Sequence, residues 1–434
     1  MRVAKLPRDD KTNGWYEILP DHGAPNVLNE HRTADWVVVG AGFAGLAAAR
    51  RLGELKPNDS VVLIEAQRVG RNASGRNSGF IIDLPHNIEM DDPERDFRQM
   101  RLNRTAIAWL SELVRLNQIQ CQWSVRGKVH AAATTAGVEA LDAYAKGLDS
   151  LGEAYERWDR ARTTAYLGTA HFRDAVWTPQ NILMQPAALV RGLAASMPAN
   201  VTVYEDSPVV DYERGKTKTF ATEHGSIKTE RVILATNGWT PGFGYMQNRF
   251  VVIFTFGSLT RPLTPAEQTA LGGEGDWGVI PATMGGTTMR YTQDKRLLIR
   301  KAVRYAPDLF VDEAKRAGIR RGHEKTFRER FPMLPDVHFE HTWGGAMCMS
   351  RNHAPKFGWL DDGVWAAICQ NGVGAAKGTI QGRACAELAA GENSDIVADM
   401  LKFDEPTPLP PRWMTAIGAR ARIFKHELFA GRDA

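Results

Sequence analysis

The most constraining stretch of this chain is residues 35–65, where a short apolar run, a glycine-rich turn, an alanine-rich helical pattern and a second apolar run follow without interruption. Trp36-Val37-Val38-Val39 has no polar alternation, as a parallel strand covered on both faces requires. Gly40-Ala41-Gly42-Phe43-Ala44-Gly45 carries three glycines in the GxGxxG spacing. Leu46 to Leu52 favours a helix, Pro57-Asn58 closes it, and Ser60 to Ile64 is the next buried strand, ending on Glu65. Each glycine meets a separate physical demand. Gly40 makes the tight turn, Gly42 lets a pyrophosphate approach the backbone, and Gly45 allows helix and strand to pack closely. The helix start directs unpaired N–H groups at that anion. Glu65, 20 residues beyond Gly45, is placed to accept ribose hydroxyls and to repel a 2′-phosphate. The segment predicts a dinucleotide site for NAD or FAD, not NADP.

With 434 residues the chain is expected to form two or three domains. Residues 1–33 are polar and broken by Gly and Pro, an extended lead-in. Arg101 to Leu116 reads as an amphipathic helix, residues 136–165 as charged helix, and Ala187 to Ser196 as another helix. Strands are expected at Val201–Tyr204 and Arg231–Thr236. Between 241 and 334 the pattern changes to alternating strands, Phe250 to Ser258 and Leu297 to Tyr305, with Gly-rich turns, which predicts a largely antiparallel sheet. Val364 to Cys369, a Gly-rich turn and a helix from Thr379 to Ala390 return to the texture of the nucleotide segment.

Fifty-four basic against 50 acidic residues leave +4, too little to point to nucleic acid. Cys121, Cys348, Cys369 and Cys385 form no CxxC pair and no metal signature. They are expected to be reduced, buried thiols of a cytoplasmic protein. The N-terminus lacks the apolar core of a signal peptide. The longest apolar stretch, Trp36 to Ala49, is shorter than the roughly 18 residues of a membrane span.

The segment Glu65-Ala66-Gln67 to Ser74-Gly75-Arg76-Asn77-Ser78-Gly79 resembles the D-amino-acid oxidase superfamily of flavoproteins, within it the sarcosine, glycine and γ-glutamylputrescine oxidase branch, including iminodiacetate-oxidase-like enzymes. The likeness recurs at Val209, at Val232-Ile233-Leu234-Ala235-Thr236-Asn237-Gly238-Trp239, at His341-Thr342-Trp343-Gly344-Gly345, and at Gln370-Asn371-Gly372-Val373-Gly374 to Gly378. It implies an α/β fold, with a Rossmann-like FAD-binding domain and a second α+β substrate domain on a mainly antiparallel sheet. It further implies non-covalent FAD held by Gly40, Gly42, Phe43, Ala44, Gly45, Glu65, Ala66, Gln67, Ser74, Arg76, Asn77, Ser78, Gly79, Val209, Thr236, Asn237, Gly238, Trp239, Gly344, Asn371, Gly372, Val373 and Gly374. In the loop, Ser and Asn offer neutral hydrogen bonds and Arg76 positive charge. The C-terminal turn would open a helix whose N–H groups stabilise negative charge on the flavin. Residues 1–95, 166–240 and 335–434 are expected in the FAD-binding domain, 96–165 and 241–334 in the substrate domain.

The chain departs from the family where substrate is bound. Asn371-Gly372-Val373-Gly374 replaces Ser-Gly-His-Gly, so a histidine over the flavin is missing. Gln370 stands where glycine-oxidase-like enzymes carry Arg, and their other carboxylate-binding Arg would fall in Ala346-Met347-Cys348. The oxygen-activating Lys of sarcosine oxidases has no counterpart in Arg296-Leu297-Leu298-Ile299-Arg300. Arg300 is therefore the first candidate for a carboxylate clamp. Period-two alternation would put Arg304 on its face and Lys301 on the other. Arg351, Lys377, Gln370 and Trp343 are further active-site candidates. Trp239, Tyr245 and Tyr291 are candidate pocket walls, and His86 a weaker one. The resemblance implies oxidation of a small carboxylate-bearing secondary amine or amino acid to an imine that hydrolyses, with O2 reduced to H2O2. A dehydrogenase passing electrons to a quinone or partner protein, or a non-catalytic flavin-binding subunit, are the alternatives. No oligomeric state follows.

Overall fold

The computed structural model describes residues 1–85 and 92–433. Strand β1 (Trp36–Val39) runs into helix α1 (Phe43–Leu55) and β2 (Val61–Ile64), as the opening motif requires. Helix α2 (Pro93–Leu116) is followed by β3 (Lys128–Ala132), α3 (Thr135–Leu151), β4 (Glu156–Trp158), α4 (Arg160–Leu167) and β5 (Asp174–Thr178). Helix α5 (Pro186–Ala195) leads to β6 (Val201–Tyr204) and β7 (Arg231–Leu234). The chain then builds β8 (Phe250–Thr260), β9 (Trp277–Pro281), β10 (Thr288–Tyr291), β11 (Leu297–Tyr305), α6 (Glu313–Arg330) and β12 (Phe339–Ser350). It ends with β13 (Lys356–Asp361), β14 (Val364–Ile368), α7 (Gly374–Ala389) and α8 (Arg412–Ala430).

The nucleotide sheet has the order β6-β2-β1-β7-β14-β13, parallel except at the β13 edge. Its central strands β1 and β2 are apolar throughout because both faces are covered. Trp36, Val38, Leu63 and Ile233 pack under α1, α2, α5 and α7. Val37, Val39, Val62 and Leu234 pack on the other side against Tyr212, Phe220 and Ile227 of a small mixed sheet. Burying each such aliphatic side chain contributes about 1.5–3 kcal/mol. The chain leaves β1 toward β2 on one side and returns at β7 on the other. The Gly40 turn therefore sits at the topological switch point, outside the carboxyl ends of the strands, where open α/β sheets bind ligands.

The second sheet has the order β12-β8-β11-β10-β9-β3-β5-β4. Its ladders are antiparallel apart from the parallel β9/β3 pair. Phe327 and Phe331 of α6 and its flank pack on one face around Trp277, Met289 and Ile299. The sheets divide the chain differently from the expected spans: β5 and β12, expected in the FAD-binding portion, are strands of this second sheet. The stretch 136–165 is also not one helix. Gly152 ends α3 in the left-handed conformation (φ 66°), and β4 pairs with β5 before α4 begins. The polar lead-in contains a short strand, His31–Thr33, and a single helical turn, Gly14–Glu17, whose Trp15 is fully buried. All four cysteines are buried and unpaired. Among the described residues no helix is long and apolar enough to cross a membrane, and no cluster of metal ligands occurs.

Candidate active site and cofactor cradle

A cavity of ≈ 1110 Å³ opens between the carboxyl ends of β1, β2 and β7 and the second sheet, with α8 along one side. That is at the top of the roughly 300–1,000 Å³ range of small-molecule sites.

The Gly40 turn forms one end. Gly40 has φ +100°, and a Cβ there would lie 2.9 Å from the Ala235 carbonyl oxygen. A Cβ on Gly42 would meet Ser74 Oγ at 2.8 Å, and one on Gly45 would lie 1.7 Å from the Gly40 carbonyl oxygen. Gly42 is the side-chain-less cap of α1, whose Phe43 N–H donates to Ser74 Oγ at 3.1 Å. Gly40, Gly42, Phe43 and Ala44 line the cavity, while Gly45 serves the packing beneath it. Glu65 accepts the Ala41 N–H at 2.7 Å and the Gln67 N–H at 3.1 Å. Burial pushes its carboxyl up, opposed by these backbone donors. It lines the cavity with Ala66 and Val209, and Gln67 lies behind them.

The Ser74–Gly79 loop is braced by its own side chains and by the lead-in. Asn77 donates to the Ser74 carbonyl (2.7 Å) and accepts the Gly79 N–H (2.8 Å). Asn13 donates to the Gly70 and Gly75 carbonyls, and the Trp15 indole to the Asn77 carbonyl. Arg76 corrects one expectation. Its guanidinium donates to Asp10 (2.6 Å), the Arg71 carbonyl and the Gly344 carbonyl. Its charge is thus already matched, although Ser74, Arg76, Asn77 and Ser78 do line the cavity. Burial pushes the Asp10 carboxyl up, but the Arg76 hydrogen bond and charge outweigh it and hold it below the usual value. Gly79 (φ +80°) and Gly344 shape the surroundings without lining the space.

The other end is the turn into α7. Thr236, Asn237 and Trp239 after β7, Asn371, Gly372 and Val373 before α7, and Gly374 at its start line it; Gly238 does not. Asn237 Oδ1 accepts the Cys369 N–H at 3.0 Å, and Asn371 Oδ1 accepts the Ser350 N–H at 2.9 Å. Cys369 (φ 63°), Asn371 (φ 53°) and Gly372 (φ 93°) are left-handed, a sharp turn that sets the α7 N-terminus at the cavity with no side-chain cap. Ala44 and Gly382 allow α1 and α7 to touch: a Cβ on Gly382 would lie 2.0 Å from the Ala44 carbonyl oxygen. Two uncapped helix starts, a buried strand-end carboxylate and a glycine cradle together fit a dinucleotide bearing a diphosphate. The residues present fit FAD: Gly42–Ala44 and Ser74 would hold the diphosphate, Glu65 the ribose, and Asn371–Gly374 the ring end.

The five active-site candidates, two of them (Arg300 and Trp343) on the facing sheet, separate. Arg300 on β11 lines the cavity and is partly exposed to it. Burial alone pulls its guanidinium below its ordinary value. Its hydrogen-bonding contact among the described residues is Met347 Sδ at 3.9 Å. Arg304 does not share its face. A β-bulge inserts Ala302 (φ 65°), so Val303 faces the cavity and Arg304 ion-pairs with Glu427. Lys301 donates to Thr326 on α6. Gln370 lines the cavity and donates to Gln381 Oε1 at 2.9 Å. Arg351 lines the rim and is exposed. Lys377 does not line the cavity. It lies toward α2, where burial and then Arg95 pull its ammonium down to about 8. Trp343 is not a wall either. It is buried edge-on to Trp15 and donates to the Arg76 carbonyl at 3.0 Å, bracing the loop from below. Tyr245 hydrogen-bonds Tyr212 and Asp361, and Tyr291 packs on Trp277. Of the aromatic candidates Trp239 lines the space. His86 lies outside the described residues.

Two contributors have no place among the sequence-based candidates. His130, packed edge-on to Tyr144 at 4.4 Å, lines the cavity from β3 and α3. Helix α8 lines it with Met414, Arg422, Ile423 and His426; its apolar spacing was the available signal.

The Escherichia coli gamma-glutamylputrescine oxidoreductase is 24% identical, aligned over 92% of this chain and 94% of its own. The structure of glycine oxidase from Geobacillus kaustophilus superposes with TM-score 0.70 at 18% identity, covering 88% of this chain and 99% of that one. L-proline dehydrogenase from P. horikoshii superposes with TM-score 0.69 at 15% identity, covering 84% and 96%. The DAO family, described as FAD dependent oxidoreductase, matches residues 35–388. The chain belongs to the DAO family of FAD-dependent oxidoreductases.

Proposed function

We propose that this protein oxidises a small carboxylate-bearing secondary amine or amino acid, of the sarcosine or iminodiacetate kind, at the carbon next to nitrogen. The observation that carries this is the Arg300 guanidinium, set in the cavity wall with a thioether as its contact. Burial in the wall disfavours the charged guanidinium and no acidic group offsets it, so a substrate carboxylate is its natural partner in a charge-assisted, bidentate pair. The gamma-glutamylputrescine, glycine and L-proline of the similar proteins' names are amines bearing a carboxylate.

FAD, when bound, accepts the two electrons lost from the substrate C–N unit. Arg300 binds the carboxylate and so fixes which carbon faces the ring end. Gly257 and Met347 line the cavity beside it, a small and an apolar residue that leave the guanidinium free to orient the substrate. The α7 N-terminus places positive potential at the same end of the cavity. Water then hydrolyses the released imine.

We assign O2 as acceptor, giving H2O2. One observation favours the dehydrogenase reading: Leu298 is buried and Lys377 lies off the cavity, leaving Lys5 as the lining lysine among the described residues. Anaerobic bleaching of the yellow protein by a panel of N-substituted amino acids tests the substrate class; no bleaching by any of them rejects it. Stoichiometric peroxide under air supports the oxidase, and dye reduction without peroxide the dehydrogenase. The flavin is assigned as non-covalent. Cys348 is buried against Cys369, and burial pushes its thiol well up, away from the nucleophilic thiolate. Acid precipitation should release the yellow colour into the supernatant.

A further inference from the structure

Helix α8 is the least packed long helix among the described residues: of its 19 residues only Ala430 is buried. Its inner face closes the cavity with Thr415, Ala419, Ile423 and His426. Trp413, Ile417, Phe424 and Leu428 recur at spacings of four, seven and four, so they form one stripe on the opposite face. With Phe429 beside it near the helix end, each of these side chains is 61 to 70 % exposed. A contiguous apolar stripe of large side chains marks an interaction surface.

Charge selects the occupant. The helix carries Arg412, Arg420, Arg422 and Lys425 against one acid, Glu427, whose carboxylate is held by Arg304 at 2.8 Å. A second copy docked on the same stripe about a two-fold axis would bring these cations against their own counterparts. An anionic bilayer surface meets both features. The acyl boundary takes the aromatic and aliphatic stripe, and the headgroups take the flanking cations. The helix is too polar to span a bilayer, as expected of one that lies in the interface.

We propose that α8 is an interfacial helix that seats the protein on an anionic lipid surface, with the cavity directly beneath it. The test uses the FAD-loaded full chain in sedimentation with phosphatidylcholine vesicles, with and without phosphatidylglycerol. Binding is expected to the anionic vesicles at low salt, and about tenfold or more weaker to neutral vesicles and in about 0.5 M NaCl. The double variant Phe424→Glu/Leu428→Glu should lose about tenfold or more of that binding. Arg420→Glu/Lys425→Glu should lose a similar amount, with turnover of soluble substrate unchanged. Failure of the unmodified protein to bind anionic vesicles overturns the proposal, as does binding that the Phe424/Leu428 variant retains. A dimer that the same variant splits into monomers assigns the stripe to a second copy and overturns it as well.

Discussion

The two walls of the cavity are built on opposite principles. On the nucleotide side the charged and amide side chains that shape the cradle are matched within the chain: Glu65 by Ala41 and Gln67, Arg76 by Asp10 and Gly344, Asn371 by Ser350 and Ala354. What that wall turns to the cavity is backbone, glycine and uncapped helix starts. On the sheet side Arg300 faces the cavity with only a thioether in reach. A cofactor that stays bound is held by a rigid, pre-satisfied frame. A substrate that comes and goes is recognised by a group whose best partner the protein itself does not supply.

This contrast can be broken at either wall. The largest effect is expected from Gly45→Ala, because the new Cβ would lie 1.7 Å from the Gly40 carbonyl oxygen, and backbone cannot swing aside. A loss of more than about 3 kcal/mol in stability is expected, read as flavin-free or insoluble protein. Arg300→Met should do the reverse. Stability and FAD content should hold, while kcat/KM for a carboxylate-bearing amine falls by about 30- to 5,000-fold, that is by about 2–5 kcal/mol in transition-state stabilisation. An equal loss with an uncharged amine of similar size would show that Arg300 supports the fold and not substrate recognition.

A smaller effect belongs to Arg76→Met, which removes the closest cation from Asp10, leaving it Arg316 at 3.7 Å and the Thr12 N–H, and frees the Arg71 and Gly344 carbonyls. A loss of about 3 kcal/mol is expected by denaturant unfolding, with weakened FAD retention and an unaltered preference among amines. Lys377→Met should give the smallest change, a gain. With its folded value depressed to about 8, the native state sheds its proton between about pH 8 and the ordinary lysine value near 10.4 while the unfolded chain keeps it. Stability therefore rises with pH through that window, and the penalty is full below it. The variant should be more stable by about 1–2 kcal/mol at pH 7, and the difference should close above about pH 10. A thermal-shift series across pH reads this directly.

Residues 35–65 determined the cofactor end almost unaided, because the demands of that turn are local. A left-handed or side-chain-free position can be met by Gly40 and Gly42, and the strand that follows must end on its carboxylate, Glu65. The Ser74–Gly79 and Gly372–Gly378 segments carried the FAD assignment for the same reason. Tertiary structure decided the rest. Whether Arg76 faces a phosphate or Asp10 depends on where a polar N-terminal lead-in packs. Which arginine of 300 and 304 enters the cavity depends on one bulge residue, Ala302, that shifts the alternation of β11. Trp343 and Lys377 carry motif positions yet point into the loop brace and toward α2. The charge and shape of a side chain are written in the sequence. Its partner is set by elements hundreds of residues away, such as α8 over the cavity, and only the folded chain brings them together.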